Sequence, residues 1–98
     1  MVIAYTDENE CDFAIKIEDA RRADEVEECM LKGIDAWYCA TDPNKYEGDD
    51  FTNEEIESFY WSGYAEPTYE LLAKKGIAYE AVDIGQVKNG EVTVDRTI

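Results

Sequence analysis

The sequence contains no histidine. That absence removes the side chain most used for acid-base work near neutral pH and a common metal ligand, leaving any catalysis to carboxylates, tyrosines or thiols. Cysteine is scarce and odd in number: Cys11, Cys29 and Cys39 stand without a Cys-x-x-Cys spacing. A Cys-x-x-Cys motif and a mixed Cys-His metal site are thereby absent, and buried free thiols are the expectation, ahead of redox or nucleophilic work. No apolar run approaches the roughly 18 residues of a membrane span. The opening Met1-Val2-Ile3-Ala4-Tyr5-Thr6-Asp7 lacks the basic start and long apolar segment of a secretion signal, so a cytoplasmic location is expected. Positive charge is the scarcest property of all, with 9 Lys and Arg against 24 Asp and Glu, a net charge of -15. Basic stripes and phosphate-cradling glycine loops are missing too. Such a chain is repelled by nucleic acids and anionic membranes and attracted to basic clefts, so a basic protein surface is the expected partner and direct nucleic-acid or membrane binding is not.

What is present suffices for a fold. The 98 residues are 45% apolar, with 2 Trp, 7 Tyr and 3 Phe, which argues against disorder although 34% of residues are charged. A chain of this size buries roughly two-thirds of its unfolded surface, so residues 1–98 are expected to form a single acidic domain.

Val2 to Tyr5 and Asp12 to Glu18 read as two strands, the second because Phe13, Ile15 and Ile17 alternate with Ala14, Lys16 and Glu18. A hairpin joins them most simply, with Asp7, Glu8, Glu10 and Asp12 giving an acidic tip. From about Ala20 to Ala40 the spacing turns helical: Ala23, Val26, Met30, Ile34 and Trp37 share one face, Leu31 and Tyr38 form a second stripe, and Glu28 and Lys32 form a favourable pair. Gly33 inside this pattern requires either a close backbone approach or an early helix end. Thr41 to Phe51 reads as a loop, with Tyr46 and Phe51 able to fold back onto the core. Its Asp42-x-Asn44 start does not continue as a calcium loop, because Tyr46, Glu47 and Asn53 stand where a ligand, the turn glycine and the closing glutamate belong.

Thr52 and Glu55 have the spacing of a capping box, opening a helix that places Ile56, Phe59 and Tyr60 at core positions and breaks at Gly63. A further helix starts near Pro67, carries a Glu70–Lys74 pair and stops at Gly76. Ile77 to Ile84 then reads as a strand, and Lys88-Asn89-Gly90-Glu91 as a hairpin turn into Val92-Thr93-Val94. The run from Tyr69 to Ile84, Tyr-Glu-Leu-Leu-Ala-Lys-Lys-Gly-Ile-Ala-Tyr-Glu-Ala-Val-Asp-Ile, resembles the helix-to-strand passage that follows the active site of glutaredoxins. Where that family has Cys-x-x-Cys this chain has Ser62-Gly63-Tyr64-Ala65, so the resemblance implies no thiol chemistry and no site residue.

The expected fold is therefore α+β: an N-terminal and a C-terminal hairpin forming a small, mainly antiparallel sheet against three helices, in the order ββαααββ. Paired carboxylates are too numerous to single out an acid-base or metal pair, so no enzyme activity, catalytic residue, metal or cofactor is expected. Between Thr41 and Glu70, Lys45 alone faces Asp42, Glu47, Asp49, Asp50, Glu54, Glu55, Glu57, Glu66 and Glu70. That self-repelling excess suggests carboxylates standing where nucleic acid presents phosphates, with large rings as anchors. The partner-binding residues so selected are Asp35, Tyr46, Glu47, Asp49, Asp50, Glu54, Glu57, Trp61 and Tyr64. The function expected is a non-enzymatic inhibitor of a basic nucleic-acid-handling protein by charge mimicry. Its physical type is that of phage or mobile-element anti-defence proteins directed at CRISPR or restriction machinery. The alternative is a general interaction or self-assembling module, including a homodimer, that uses exposed aromatics; a carboxylate- or thiol-based enzyme is the third and less favoured reading.

Overall fold

The computed structural model describes residues 1–98, and its fold class is α+β. The strands are β1 (Val2–Tyr5), β2 (Phe13–Lys16), β3 (Glu80–Val82) and β4 (Arg96–Thr97). The helices are α1 (Ala23–Tyr38), α2 (Asn53–Ser62), α3 (Glu66–Lys74) and α4 (Ile84–Lys88), with short 3-10 turns at Ala20–Arg22 and Pro43–Lys45. The chain divides into two compact units: Met1–Glu27 with Ile77–Ile98, and Glu28–Gly76.

The first unit holds a four-stranded mixed sheet in the order β3-β2-β1-β4. The expected N-terminal hairpin forms, with Ile3 opposite Ile15 and Ala4 opposite Ala14. Alternation puts Ile3, Tyr5, Phe13 and Ile15 on one face and Val2, Ala4 and Ala14 on the other, and all seven are buried. The second face is covered by Val82, Ile84, Val87, Val92 and Val94. With apolar cover on both sides, β1 reads Val-Ile-Ala-Tyr without polar interruption.

The C-terminal hairpin does not form. β3 pairs antiparallel with β2, and β4 pairs parallel with β1 on the opposite edge. Two local chemistries divert the chain. Asp83 accepts a hydrogen bond from the Gly85 amide at 2.8 Å and so starts α4 where the alternation suggested a strand. Gly90, at φ 76°, then ends α4 in the left-handed conformation that closes helices, a use of Asn-Gly that competes with the hairpin turn. Val92 and Val94 fill the core beside Val2 and Ala4 instead of extending a strand. Asp95 anchors the start of β4, its carboxylate accepting from the Val2 amide at 2.7 Å. Arg96 donates to Asp24 at 2.7 Å and reaches Glu27 at 3.5 Å.

The hairpin tip is organised by its own charges. Asp7 accepts from the amides of Asn9 at 2.9 Å and Cys11 at 3.0 Å, while Asp12 pairs with Lys88 at 3.4 Å. These two carboxylates therefore have structural employment, which the sequence pattern alone did not supply.

In the second unit, Met30, Ile34, Ile56, Phe59, Leu71 and Leu72 are buried, each worth about 1.5–3 kcal/mol relative to exposure. Gly33 marks a close approach of α1 to α3: a Cβ there would lie 2.7 Å from the Thr68 backbone nitrogen. The anticipated helix pair Glu28–Lys32 is present at 2.9 Å. Glu70 does not pair with Lys74, whose ammonium instead reaches Glu55 at 3.4 Å and the Asp50 carbonyl at 3.0 Å.

Candidate functional site

All nine residues expected to contact a partner fall in the second unit, where seven sort into a loop group and a helix group while Asp35 lies on α1 and Tyr64 between α2 and α3. The loop group surrounds the Pro43–Lys45 turn. Tyr46 folds inward, its ring centroid 6.1 Å from Phe51, which meets Phe59 edge-on at 5.0 Å. Lys74 closes this stack, its ammonium 4.9 Å from the Phe51 centroid. Burial first, then the charges of Asp50 and Asp35, push the Tyr46 phenol above its ordinary pKa. Asp50 is half-buried against these groups, whereas Glu47 and Asp49 are exposed. Cys39 lies beside the same carboxylates. Burial first, then Asp35 and Asp42, raise its pKa, so the thiol keeps its proton at neutral pH.

The helix group lies on α2. Thr52 and Glu55 form the full capping box: the Glu55 amide donates to the Thr52 hydroxyl at 3.2 Å, and the Thr52 amide donates to the Glu55 carboxylate at 3.0 Å. The Thr52 amide first, and Lys74 after it, hold the Glu55 carboxyl below the usual glutamate value. With its start fixed and Ile56 and Phe59 buried, α2 turns Glu54, Glu57, Tyr60 and Trp61 to solvent. Glu54, Glu57 and Trp61 follow one another at three and four residues, the spacing of a single helical stripe. Trp61 is 83% exposed. Tyr60, expected in the core, is 55% exposed and stands at 84° to Trp61 with ring centroids 4.8 Å apart. Helical spacing sets Tyr60 about 40° from the buried Ile56, on the side it shares with the core, so the spacing carries no signal of its exposure.

Tyr64 belongs to neither group. It is half-buried and meets the edge of Trp37 at 6.1 Å, a packing role in place of the projecting anchor expected. Asp35, Glu47, Asp49, Glu54 and Glu57 make no ion pair within 4.0 Å. By contrast, Asp19, Asp24, Glu25, Glu27 and Glu28 are paired with Arg21, Arg96, Arg22, Arg96 and Lys32. Exposed carboxylates without an ion pair also stand outside the loop and α2, at Glu8, Glu10, Glu18, Glu66, Glu80 and Glu91, so the loop and α2 carry one part of a wider surplus. No grouping of three or more cysteine, aspartate or glutamate side chains has the geometry to hold a metal ion. A cleft of about 270 Å³ lies apart from these residues in the first unit, lined by Lys16, Glu18, Ala78, Tyr79 and Glu80. No helix is long and apolar enough to cross a membrane.

Compared with protein-family models, with curated proteins and with solved structures, the chain finds no match.

Proposed function

We propose that this protein is a small, non-enzymatic binding protein that blocks a basic nucleic-acid-handling partner by presenting carboxylates in place of phosphates. The observation that carries the reading is the run of unpaired, exposed Glu47, Asp49, Glu54 and Glu57 leading to the exposed Trp61. Solvated charge at this density repels itself and weakens the fold, a burden that a binding role explains and solubility alone does not. Complementary charge accelerates encounter and steers it, and a large exposed ring supplies an anchor once contact is made. Inhibitors with which phages and mobile elements disable CRISPR or restriction enzymes are of this size and charge. We place the protein in that functional class, acting in the cytoplasm.

The test is capture by immobilised protein from extracts of the native host at low and high salt, followed by elution with duplex DNA. Support is a basic nucleic-acid-binding protein that is retained at low salt, released by DNA, and lost when Glu47, Asp49 and Glu57 are changed to lysine. Retention that ignores salt, DNA and these reversals overturns the reading.

The exposure of Tyr60 and Trp61 favours one other reading, self-assembly through an apolar contact between two copies. A dimer that persists at high salt and dissociates in Trp61→Ala decides for it.

A further inference from the structure

We infer that Glu57, Tyr60 and Trp61 form a corner that seats an arginine side chain of the basic partner. The inference rests on the binding role proposed above and specifies the chemistry of its central contact. Two rings at 84° with centroids 4.8 Å apart make an open right angle, and at 55% and 83% exposure both leave ring surface to solvent. Glu57 lies three residues before Tyr60 and four before Trp61, which on a helix puts its carboxylate one turn below both rings. Neither a lysine nor an arginine occurs in α2, and Glu57 makes no ion pair, so no cation of the helix itself occupies the corner. The scaffold is rigid where it must be. The capping box fixes one end of α2, and Ile56 and Phe59 fix its back.

An arginine fits these three groups better than the alternatives. The guanidinium is planar and weakly hydrated, stacks on indole, and at the same time donates two parallel hydrogen bonds to a carboxylate. A lysine ammonium is a compact, strongly hydrated charge that gains less from a ring face. A second copy of the chain would bring Glu54 and Glu57 against like charges, which disfavours it as occupant.

The experiment titrates the full chain with an arginine-rich and a lysine-rich peptide of equal length and charge, measuring affinity by calorimetry at low salt. The expected result is an arginine preference of about fivefold. Trp61→Ala erases it, Trp61→Phe retains part of it, and Glu57→Gln weakens the arginine peptide more than the lysine peptide. With its ring mostly in solvent, Trp61→Ala keeps the melting temperature of the parent, so loss of the preference is not loss of the fold. Equal affinity for the two peptides, unchanged in Trp61→Ala, overturns the corner while leaving the acidic binding role intact. Failure of both peptides to bind overturns the corner and the binding role together. A Trp61-dependent dimer without peptide overturns it in favour of a second copy.

Discussion

Gly33 of α1 lies against Thr68 of α3 so closely that a Cβ on Gly33 would come within 2.7 Å of the Thr68 nitrogen and 3.0 Å of its Cα. Both atoms are backbone and cannot step aside. Alanine gains roughly 1 kcal/mol in helix propensity over glycine. Overpacking costs about 1–3 kcal/mol, and against immovable backbone the upper part of that range applies. Gly33→Ala should therefore destabilise the protein by about 1–2 kcal/mol in urea denaturation. A stabilised variant would show that the two helices separate easily.

Thr68 itself is fully buried, and its hydroxyl has no hydrogen-bond partner. Valine has nearly the same shape and no polar group to desolvate. Thr68→Val is expected to raise stability by about 1 kcal/mol, measured by the same denaturation, while Thr68→Ala lowers it by opening a void.

Two glutamates of the second unit should respond to pH in opposite senses. Glu55 has its folded pKa lowered, by the Thr52 amide first and then by Lys74, so its contribution is present above the ordinary value of 4.5 and lost as pH falls through the folded value. Glu70 has its folded pKa raised, by burial first and then by the charge of Glu55, so its ionised form opposes folding above that raised value. Glu55→Gln should lower the melting temperature at neutral pH, and Glu70→Gln should raise it. Both differences from the parent should vanish in acid below the two glutamates' pKa values, where each parent side chain is protonated. Melting curves taken across pH 3 to 7 read both.

Lys74 joins three parts of the second unit, reaching the Asp50 carbonyl, the Glu55 carboxylate and the Phe51 ring. Its side chain is half-exposed, so each contact is worth less than a buried equivalent. Lys74→Met keeps the stem and removes the charge, and should cost about 1 kcal/mol with faster amide exchange in the Tyr46–Phe51 loop. Unchanged exchange there would show that the ring stack holds the loop unaided.

The unpaired carboxylates predict a trade between binding and stability. Screening salt should raise the melting temperature of the parent, because it weakens repulsion within a chain of net charge -15. Glu47→Gln with Asp49→Asn should raise it as well, at low salt only, while weakening capture of the basic partner. A melting temperature indifferent to salt would mean that the excess charge is already dispersed.

Much of this architecture could be read from residue spacing. The period of Ala23, Val26, Met30 and Ile34 gave the buried face of α1, and Thr52 with Glu55 gave the start of α2, because both signals act within one or two turns. Gly33 announced a close approach but could not name Thr68, which lies far along the chain. Misreadings arose where two local chemistries share one sequence, as at Asn89-Gly90, or where a long side chain chooses among distant partners, as Lys74 does. The α2 stripe was half legible. Glu54, Glu57 and Trp61 stand out by charge and size, whereas helical spacing groups Tyr60 with the buried Ile56 and Phe59.

The two tryptophans occupy unlike surroundings. Trp61 is nearly free in solvent, and Trp37 is packed against Tyr38 and Tyr64 with its ring nitrogen buried. Their fluorescence should therefore carry two separable signals, red emission from Trp61 that shifts or quenches when a partner arrives, and bluer emission from Trp37 that changes when its packing against Tyr64 is lost. Without any attached dye, one emission spectrum distinguishes occupancy of the surface from loss of the fold.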